Sequence, residues 1–572
     1  MSQFRPVRSV LLIVLIAALG AAARPGSTPA PAVRERVALE QVTLRGEYGA
    51  RFQAAAANLL TRQDRYSIAS YVSNASSVPG AALWFDWPGD QFGRMFSVWH
   101  VAQALGWTPA RTLRSAVADA VLGLQTKAGS FGQEAPLDQK DDRIVSGNAF
   151  ALRGLLDAYR DTGEKRYLES ARRLGRYYEA IFDYWKDNGK GMMHEYFGHC
   201  LDGLVALYAA GGDRWALDLG RKIAGRAGRT HHTHHTLSMI RGVIDLYRAT
   251  GEKALLDRAE DYLAYCRENR IVSGGLPEGM PISEQDEGCA LADYVVVNLM
   301  MFEATGRRDY LEDAERTQVN HLFMNQFHTG GFGHRAFATD VVGGKKWQGW
   351  EGRFGSENPG CCSLWGCWSL GQAASFIVTR QGSAVDVNLY PSASIDLPDL
   401  AGRLEIESDF PRLSKIALTV HGDRTMKYAI RLRIPAWAVG AAVKLNGKDA
   451  GVAAVDGRIV LDREWRSGDR LDFAFGGGLR LVPWPDEKSS TAAVFDGPLC
   501  LALSSAAADV DRFAKLLVTS QGGLLLSADG KPQAADAKGE TISAFKPIAE
   551  DWLSPDVKNP NRLRILFTKQ TR

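Results

Sequence analysis

Four segments of the chain carry the same punctuation, an aromatic residue four positions before a glycine: Tyr159-Arg-Asp-Thr-Gly163, Tyr208-Ala-Ala-Gly-Gly212, Tyr247-Arg-Ala-Thr-Gly251 and Phe302-Glu-Ala-Thr-Gly306. A leucine follows each glycine five residues later, at Leu168, Leu217, Leu256 and Leu311. A helix that ends on a left-handed glycine, followed by a short charged turn and a second apolar stripe, produces this spacing. From about Gly89 to Phe327 the apolar period is helical, so the pattern predicts helical hairpins in series. The glycines are 49, 39 and 55 residues apart (163 to 212, 212 to 251, 251 to 306). Such irregular spacing argues against an open solenoid of uniform repeats. It predicts a closed toroid of hairpins, with inserted loops building a pocket at one end.

After about Ala384 the period changes to two, in Val385–Tyr390, Lys415–Val420, Tyr428–Ile434 and Val443–Leu445 before the Asn446-Gly447 turn. That predicts an antiparallel β-sandwich. A second, less regular β-rich block follows Gly497-Pro498. Val37–Leu44 is an isolated strand pattern ahead of the helices and is expected to pair with a C-terminal sheet.

Met1–Gly26 has basic residues Arg5 and Arg8, the apolar run Val10–Leu19 and a small-residue exit at Gly20–Ala23. It reads as a cleavable secretory signal peptide, which predicts a periplasmic or secreted protein. The apolar run is too short to span a bilayer, and no later stretch is expected to span one. With 68 Lys and Arg against 65 Asp and Glu, the charge proposes neither nucleic acid nor an anionic membrane as partner. The oligomeric state is not encoded in any of these features.

Cys361 and Cys362 are adjacent and follow a Pro-Gly turn. Side chains at consecutive positions diverge, so the two resist bridging each other. They could instead ligate one metal ion from a tight turn. Upstream, Glu287-Gly-Cys289 offers a carboxylate and a thiolate on one side of an extended segment. One carboxylate and three thiolates suit Zn²⁺; buried free cysteines are the other reading of the same residues. Cys200 and Cys266 fall in helical patterns, and Cys367 and Cys500 read as core.

Glu287-x-Cys289 with Cys361-Cys362, Gly274-Gly275, Gly198-His199 with Leu207-Tyr208, Ile434-Pro-Ala-Trp437, Leu445-Asn-Gly447, Trp465-Arg-Ser-Gly-Asp469 and Gly497-Pro498-Leu499 together resemble glycoside hydrolase family 127, the β-L-arabinofuranosidases. The resemblance covers most of the mature chain. It implies an α+β multidomain fold, an (α/α)6 helical toroid followed by antiparallel β-sandwich domains. The layout expected is a signal peptide at 1–26, a linker and N-terminal strand at 27–46, a catalytic barrel at 47–383, a β-sandwich at 384–477 and a second β-rich domain at 478–572.

The resemblance also implies retaining glycoside hydrolysis on an oligosaccharide or polysaccharide-derived substrate, with a zinc-bound cysteine as nucleophile. Cys361 takes that role, with Glu287, Cys289 and Cys362 completing the zinc shell. The acid/base falls on the loop after Gly274-Gly275, at Glu278 with Glu284 as runner-up. His199 matches a pocket histidine of the family. Asn148 stands where the family has a histidine after glycine and could still hydrogen-bond a hydroxyl. In the cluster His231-His-Thr-His-His235 a sugar-contacting wall is expected in preference to a second metal site, with His235 favoured over His232. Trp347, Trp350 and Trp365 lie beside the Cys-Cys turn, where they read as core more readily than as sugar-stacking platforms, and they are left outside the catalytic set. The Cys-Cys pair continues as Ser363-Leu-Trp-Gly-Cys367 where the family has a Pro-Pro-Asn-like segment, which marks a distant branch. Two other functions fit the toroid: a carboxylate-based glycosidase such as an unsaturated uronyl hydrolase, and a non-catalytic glycan-binding protein.

Overall fold

The computed structural model describes residues 34–62, 64–80, 85–107, 111–134, 142–188, 197–281, 283, 285–342, 345–353, 356–506, 512–550 and 561–571. The expected signal peptide and leader, and Glu284, lie outside these residues. Thirteen helices are used below: α1 (Gly46–Thr61), α2 (Ile68–Ser76), α3 (Asp90–Ala104), α4 (Arg111–Val121), α5 (Asp142–Thr162), α6 (Lys165–Asn188), α7 (Leu201–Gly211), α8 (Arg214–Arg226), α9 (Thr233–Thr250), α10 (Lys253–Glu268), α11 (Gly288–Thr305), α12 (Arg308–Arg316) and α13 (Cys362–Ala374). Helices α3, α5, α7, α9, α11 and α13 pack each on the next, and α13 packs back on α3, which closes an inner ring of six. Helices α6, α8, α10 and α12 each pack outside the inner helix they follow, and α1 packs outside α13.

The hairpin punctuation is made as the spacing requires. Gly163, Gly212, Gly251 and Gly306 have φ of 69°, 70°, 73° and 74°, where a side chain would be strained. Each donates its N–H to the carbonyl of the aromatic four residues earlier, at 2.7 to 2.8 Å. Leu168, Leu217 and Leu311 are buried and Leu256 is partly buried against the same core. Among the inner helices, α11 is buried along nearly its whole length, from Gly288 to Glu303, because it faces both the ring interior and the outer layer. By length and composition it could cross a membrane, and 89% of its apolar window is buried inside the ring.

Among the described residues up to Phe475, fifteen strands follow the chain as β1 (Glu35–Arg36), β2 (Val42–Leu44), β3 (Ala336–Val342), β4 (Lys345–Arg353), β5 (Val378–Gln381), β6 (Ala384–Val387), β7 (Ala393–Leu397), β8 (Gly402–Ser408), β9 (Ile416–Gly422), β10 (Met426–Arg433), β11 (Ala441–Leu445), β12 (Lys448–Asp449), β13 (Ala454–Val455), β14 (Arg458–Trp465) and β15 (Arg470–Phe475). Strands β3 and β4 form a separate hairpin, and the others build two sheets, ordered β1-β5-β6-β10-β14-β13 and β12-β11-β15-β9-β8-β7-β2.

The N-terminal segment is therefore not one strand over Val37–Leu44. It gives an edge strand to each sheet, Arg36 opposite Thr379 and Val42 opposite Ile395. A 3-10 turn at Leu39–Gln41 carries it across, held by Gln41 Oε1 accepting from Ala38 N at 2.8 Å. Val37, Leu39 and Val42 are buried there. Deleting residues through Leu44 removes three buried aliphatic side chains at about 1.5–3 kcal/mol each, before any loss of strand pairing. The truncated protein is expected to melt its sandwich early while keeping its helical circular dichroism; coincident melting with the intact chain would refute the bridging role.

A third sheet is built around the hairpin Thr491–Asp496 and Leu499–Ala506. Phe495 packs into the core shared with the barrel, while Val494 packs into a separate core on the opposite face with Leu503, Leu516 and Phe567. A sheet buried on both faces loses its polar alternation, which is why this block looks irregular in sequence.

Candidate active site

Five of the six inner helices, all but α7, begin at the same cavity. It has a volume of about 150 Å³ and its wall includes Asp90 and Arg94 of α3, Ser146 of α5, His232, His234 and His235 at the start of α9, and Glu287 and Cys361. Glu287 is the N-cap of α11, with extended backbone (φ −137°, ψ 128°), and Cys289 lies in the first turn of that helix. Cys361 is the N-cap of α13 and Cys362 its first helical residue. The two pairs are thus presented by the N-termini of neighbouring inner helices, not from an extended segment and a loop, and a helix N-terminus favours negative charge.

One ligand atom from each of Glu287, Cys289, Cys361 and Cys362 can be chosen so that all lie within 4.8 Å of one another. Cys362 Sγ is 3.7 Å from both Cys289 Sγ and Cys361 Sγ. No disulfide links the described cysteines. Two sulfurs bound tetrahedrally at about 2.3 Å to one ion stand about 3.8 Å apart, so the residues present fit a zinc ion. Burial pushes the Cys289 and Cys362 thiols and the Glu287 carboxyl well above their usual ranges, and Cys361 adds to the effect on Glu287. The neighbouring Cys289 and Cys362 thiols hold Cys361 well below. The cluster concentrates donors that a cation would satisfy, and Glu287 Oε2 has no hydrogen-bond partner among the described residues.

The segment that carries Glu278 is pinned from both sides. Glu278 N donates to Gln285 O at 2.9 Å, and Thr233 N donates to Glu278 O at 2.8 Å. Gln285 Nε2 donates to Glu278 Oε2 at 2.7 Å. The preceding Gly274-Gly275 lies against a π turn, Thr317–Leu322, that continues α12. A Cβ on Gly275 would meet the His321 ring at 2.5 Å, and that ring pairs with Ser273 Oγ at 2.6 Å. The same turn aims Asn320 at Cys500 N and Pro498 O, which ties the Gly497-Pro498 motif to the barrel.

The histidine cluster is ordered from below by Asp293, which is fully buried. His234 Nδ1–H donates to Asp293 Oδ2 at 2.8 Å, Ser238 Oγ at 3.0 Å and Trp365 Nε1 to Oδ1 at 2.8 Å, and Arg241 pairs with the same carboxylate. Burial alone would raise this carboxyl, but Arg241 and the donated bonds outweigh it and hold it well below the usual carboxylate range. Its contribution to stability is complete above the unfolded aspartate value of about 4 and is lost as pH falls towards the lower folded value. Asp293→Ala is expected to cost about 3–5 kcal/mol in urea unfolding at neutral pH; a change under about 1 kcal/mol, the size of a neutral hydrogen bond, would contradict this account.

Two sequence profiles match the chain: "Beta-L-arabinofuranosidase, GH127 catalytic domain" over residues 138–362 and "Beta-L-arabinofuranosidase, GH127 middle domain" over residues 384–476. The chain belongs to glycoside hydrolase family 127. It is a glycoside hydrolase, and its substrate is a carbohydrate. Among solved structures it is similar to a GH127 β-arabinofuranosidase at 17% identity, covering 94% of this chain and 98% of that one with a TM-score of 0.70. It is also similar to a GH127 β-L-arabinofuranosidase from Geobacillus stearothermophilus T6 at 14% identity, 92% and 100% coverage and a TM-score of 0.68. No curated protein matches the sequence.

Against the family expectations, the structure brings Cys361, Glu278, Glu287 and His235 to one cavity. His199 stands behind that wall, its ring edge-on to His235 at 4.3 Å and its Nδ1 3.2 Å from Ser146 Oγ. Asn148 does not line the cavity. Its amide bridges Phe131 N, Phe131 O and Ile144 O, and Ser146, two residues earlier, takes the wall position. His232 lines the cavity as well as His235, stacked on it at 4.3 Å. Trp365 is core, stacked on Trp368 at 4.3 Å; the side chains of Trp347 and Trp350 lie outside the described residues.

Sequence reasoning missed Trp87, Asp90, Arg94, His334 and Asn358, all of which line the site. His334 Nε2 lies 3.9 Å from Cys362 Sγ and accepts from Asn358 Nδ2 at 3.2 Å, while Nδ1–H donates to Asp286 O at 3.0 Å. Nothing in their local spacing marks these residues, except that Asp90 and Arg94 stand one helical turn apart.

Proposed function

We propose that the protein is an exported, retaining exo-glycosidase of the β-L-arabinofuranosidase type, with Cys361 as nucleophile and Glu278 as acid/base. The observation that carries this reading is the convergence of Glu287, Cys289, Cys361 and Cys362 within 4.8 Å on the wall that also holds Glu278. Export rests on the signal-peptide pattern of Met1–Gly26. Zinc held by these four residues would keep Cys361 as a thiolate at neutral pH, because coordination removes the thiol proton.

Cys289 and Cys362 are buried, whereas Cys361 is partly exposed and lines the cavity. Cys361 Sγ attacks the anomeric carbon, forming a C–S bond as the C–O bond to the leaving group breaks. Protonated Glu278 gives its proton to the leaving oxygen. The resulting carboxylate then takes a proton from water, whose oxygen attacks the same carbon and displaces the Cys361 thiolate with net retention. Gln285 holds one oxygen of Glu278 and leaves the other for this transfer. The inner-helix N-termini and the histidine wall orient the sugar.

The test is a panel of aryl glycosides that includes both arabinofuranose enantiomers, with metal content measured in parallel. Hydrolysis of the β-L-arabinofuranoside and about one zinc per chain, as a single four-ligand site requires, are expected. A metal-free protein with full activity would end the zinc-thiolate reading, and cleavage confined to another sugar would end the arabinofuranoside one.

A further inference from the structure

Arg94 is 3% exposed and lines the cavity. Its Nε donates to Asp90 Oδ1 at 2.8 Å, and its Nη2 lies 3.1 Å from His234 Nε2. Because His234 donates Nδ1–H to Asp293, Nε2 is the lone-pair nitrogen and accepts from Arg94. The guanidinium also lies over the Phe150 ring, 3.5 Å from its centroid, and 4.7 Å from that of Trp365. It is therefore fixed on three sides. The remaining nitrogen, Nη1, is buried and has no hydrogen-bond partner among the described residues. A buried donor left unpaired in an otherwise satisfied network marks a position that a ligand fills.

We infer that Arg94 is a specificity-determining residue whose Nη1–H donates to one hydroxyl oxygen of the bound sugar, with Asp90 and His234 as the residues that position it. Charge decides between a hydroxyl and a carboxylate as acceptor. Asp90 already offsets the guanidinium, and Glu287 with the thiolates of Cys289, Cys361 and Cys362 would outnumber the charge of the one divalent ion they are proposed to hold. A carboxylate brought to Nη1 would meet that negative surplus, whereas a hydroxyl oxygen satisfies the donor without added charge. The pocket thus reads a neutral sugar by its hydroxyl pattern.

This inference rests on the glycosidase reading of the cavity, and the test separates the two. The aryl glycoside that the protein cleaves is compared with its monodeoxy analogues. In the wild type, loss of one particular hydroxyl should lower kcat/KM by about 10- to 100-fold, the worth of a charged hydrogen bond. Arg94→Gln should lower kcat/KM for the parent sugar by a similar factor and then be indifferent to that same deoxygenation. Where Arg94→Gln does not fold, Arg94→Lys, which keeps the cation beside Asp90 but has no Nη1, gives the same two readings. A uniform loss across all analogues would make Arg94 structural and overturn the inference while leaving the proposed function standing. A protein that cleaves no glycoside in the panel would overturn both.

Discussion

Cys361→Ser is expected to lower kcat/KM on every glycoside by about a thousandfold or more, including substrates with good leaving groups. The reason is positional as well as chemical. Cys361 is the only one of the three clustered cysteines that is partly exposed, so neither buried thiol can replace it at the anomeric carbon. A serine hydroxyl is a poorer carbon nucleophile, and the substitution also removes a sulfur from the proposed metal shell, so zinc content should fall with activity. Steady-state kinetics with metal analysis on the same preparation reads both. Retained activity with reduced zinc would assign the cysteines a structural role and favour a carboxylate-based mechanism.

Glu278→Gln should separate substrates by their leaving groups. General acid assistance is worth about 10²–10⁴-fold, and a natural disaccharide, whose leaving alcohol needs the proton, should lose that much. An activated aryl glycoside should retain its first step, and its turnover should recover with azide, which does not need a general base to attack. Equal losses on both substrates would exclude Glu278 as acid/base. Glu284→Gln is the matching control, and a leaving-group dependence appearing there would transfer the role to Glu284 without disturbing the cysteine chemistry.

The histidine wall shows where sequence reasoning stops. His231-His-Thr-His-His235 is visible as a cluster, but its members differ in function only through what they touch. His234 is held by Asp293, 59 positions later, and His231 Nδ1 pairs with Met280 O. His232 and His235 remain on the cavity wall. Asn148 shows the converse. A polar residue at a helix start looks available for a hydroxyl until the fold brings Phe131 against it, 17 positions earlier. The aromatic-to-glycine hairpins were legible because a left-handed cap and its donor are set within one helical turn.

What the sequence determined by itself is whatever is fixed by local period and local chemistry: helical hairpins, the switch to strands near Ala384, and Glu287-x-Cys289 with Cys361-Cys362 as a candidate ligand set. Each of these depends on residues within a turn or two of one another, or on a donor chemistry that few functions need. Tertiary structure decided which ends of the inner helices meet, and therefore that Asp90, Arg94, His334 and Asn358 join the site while Asn148 does not. Those assignments depend on contacts between residues tens to hundreds of positions apart, which closure of the ring sets and which no local period records.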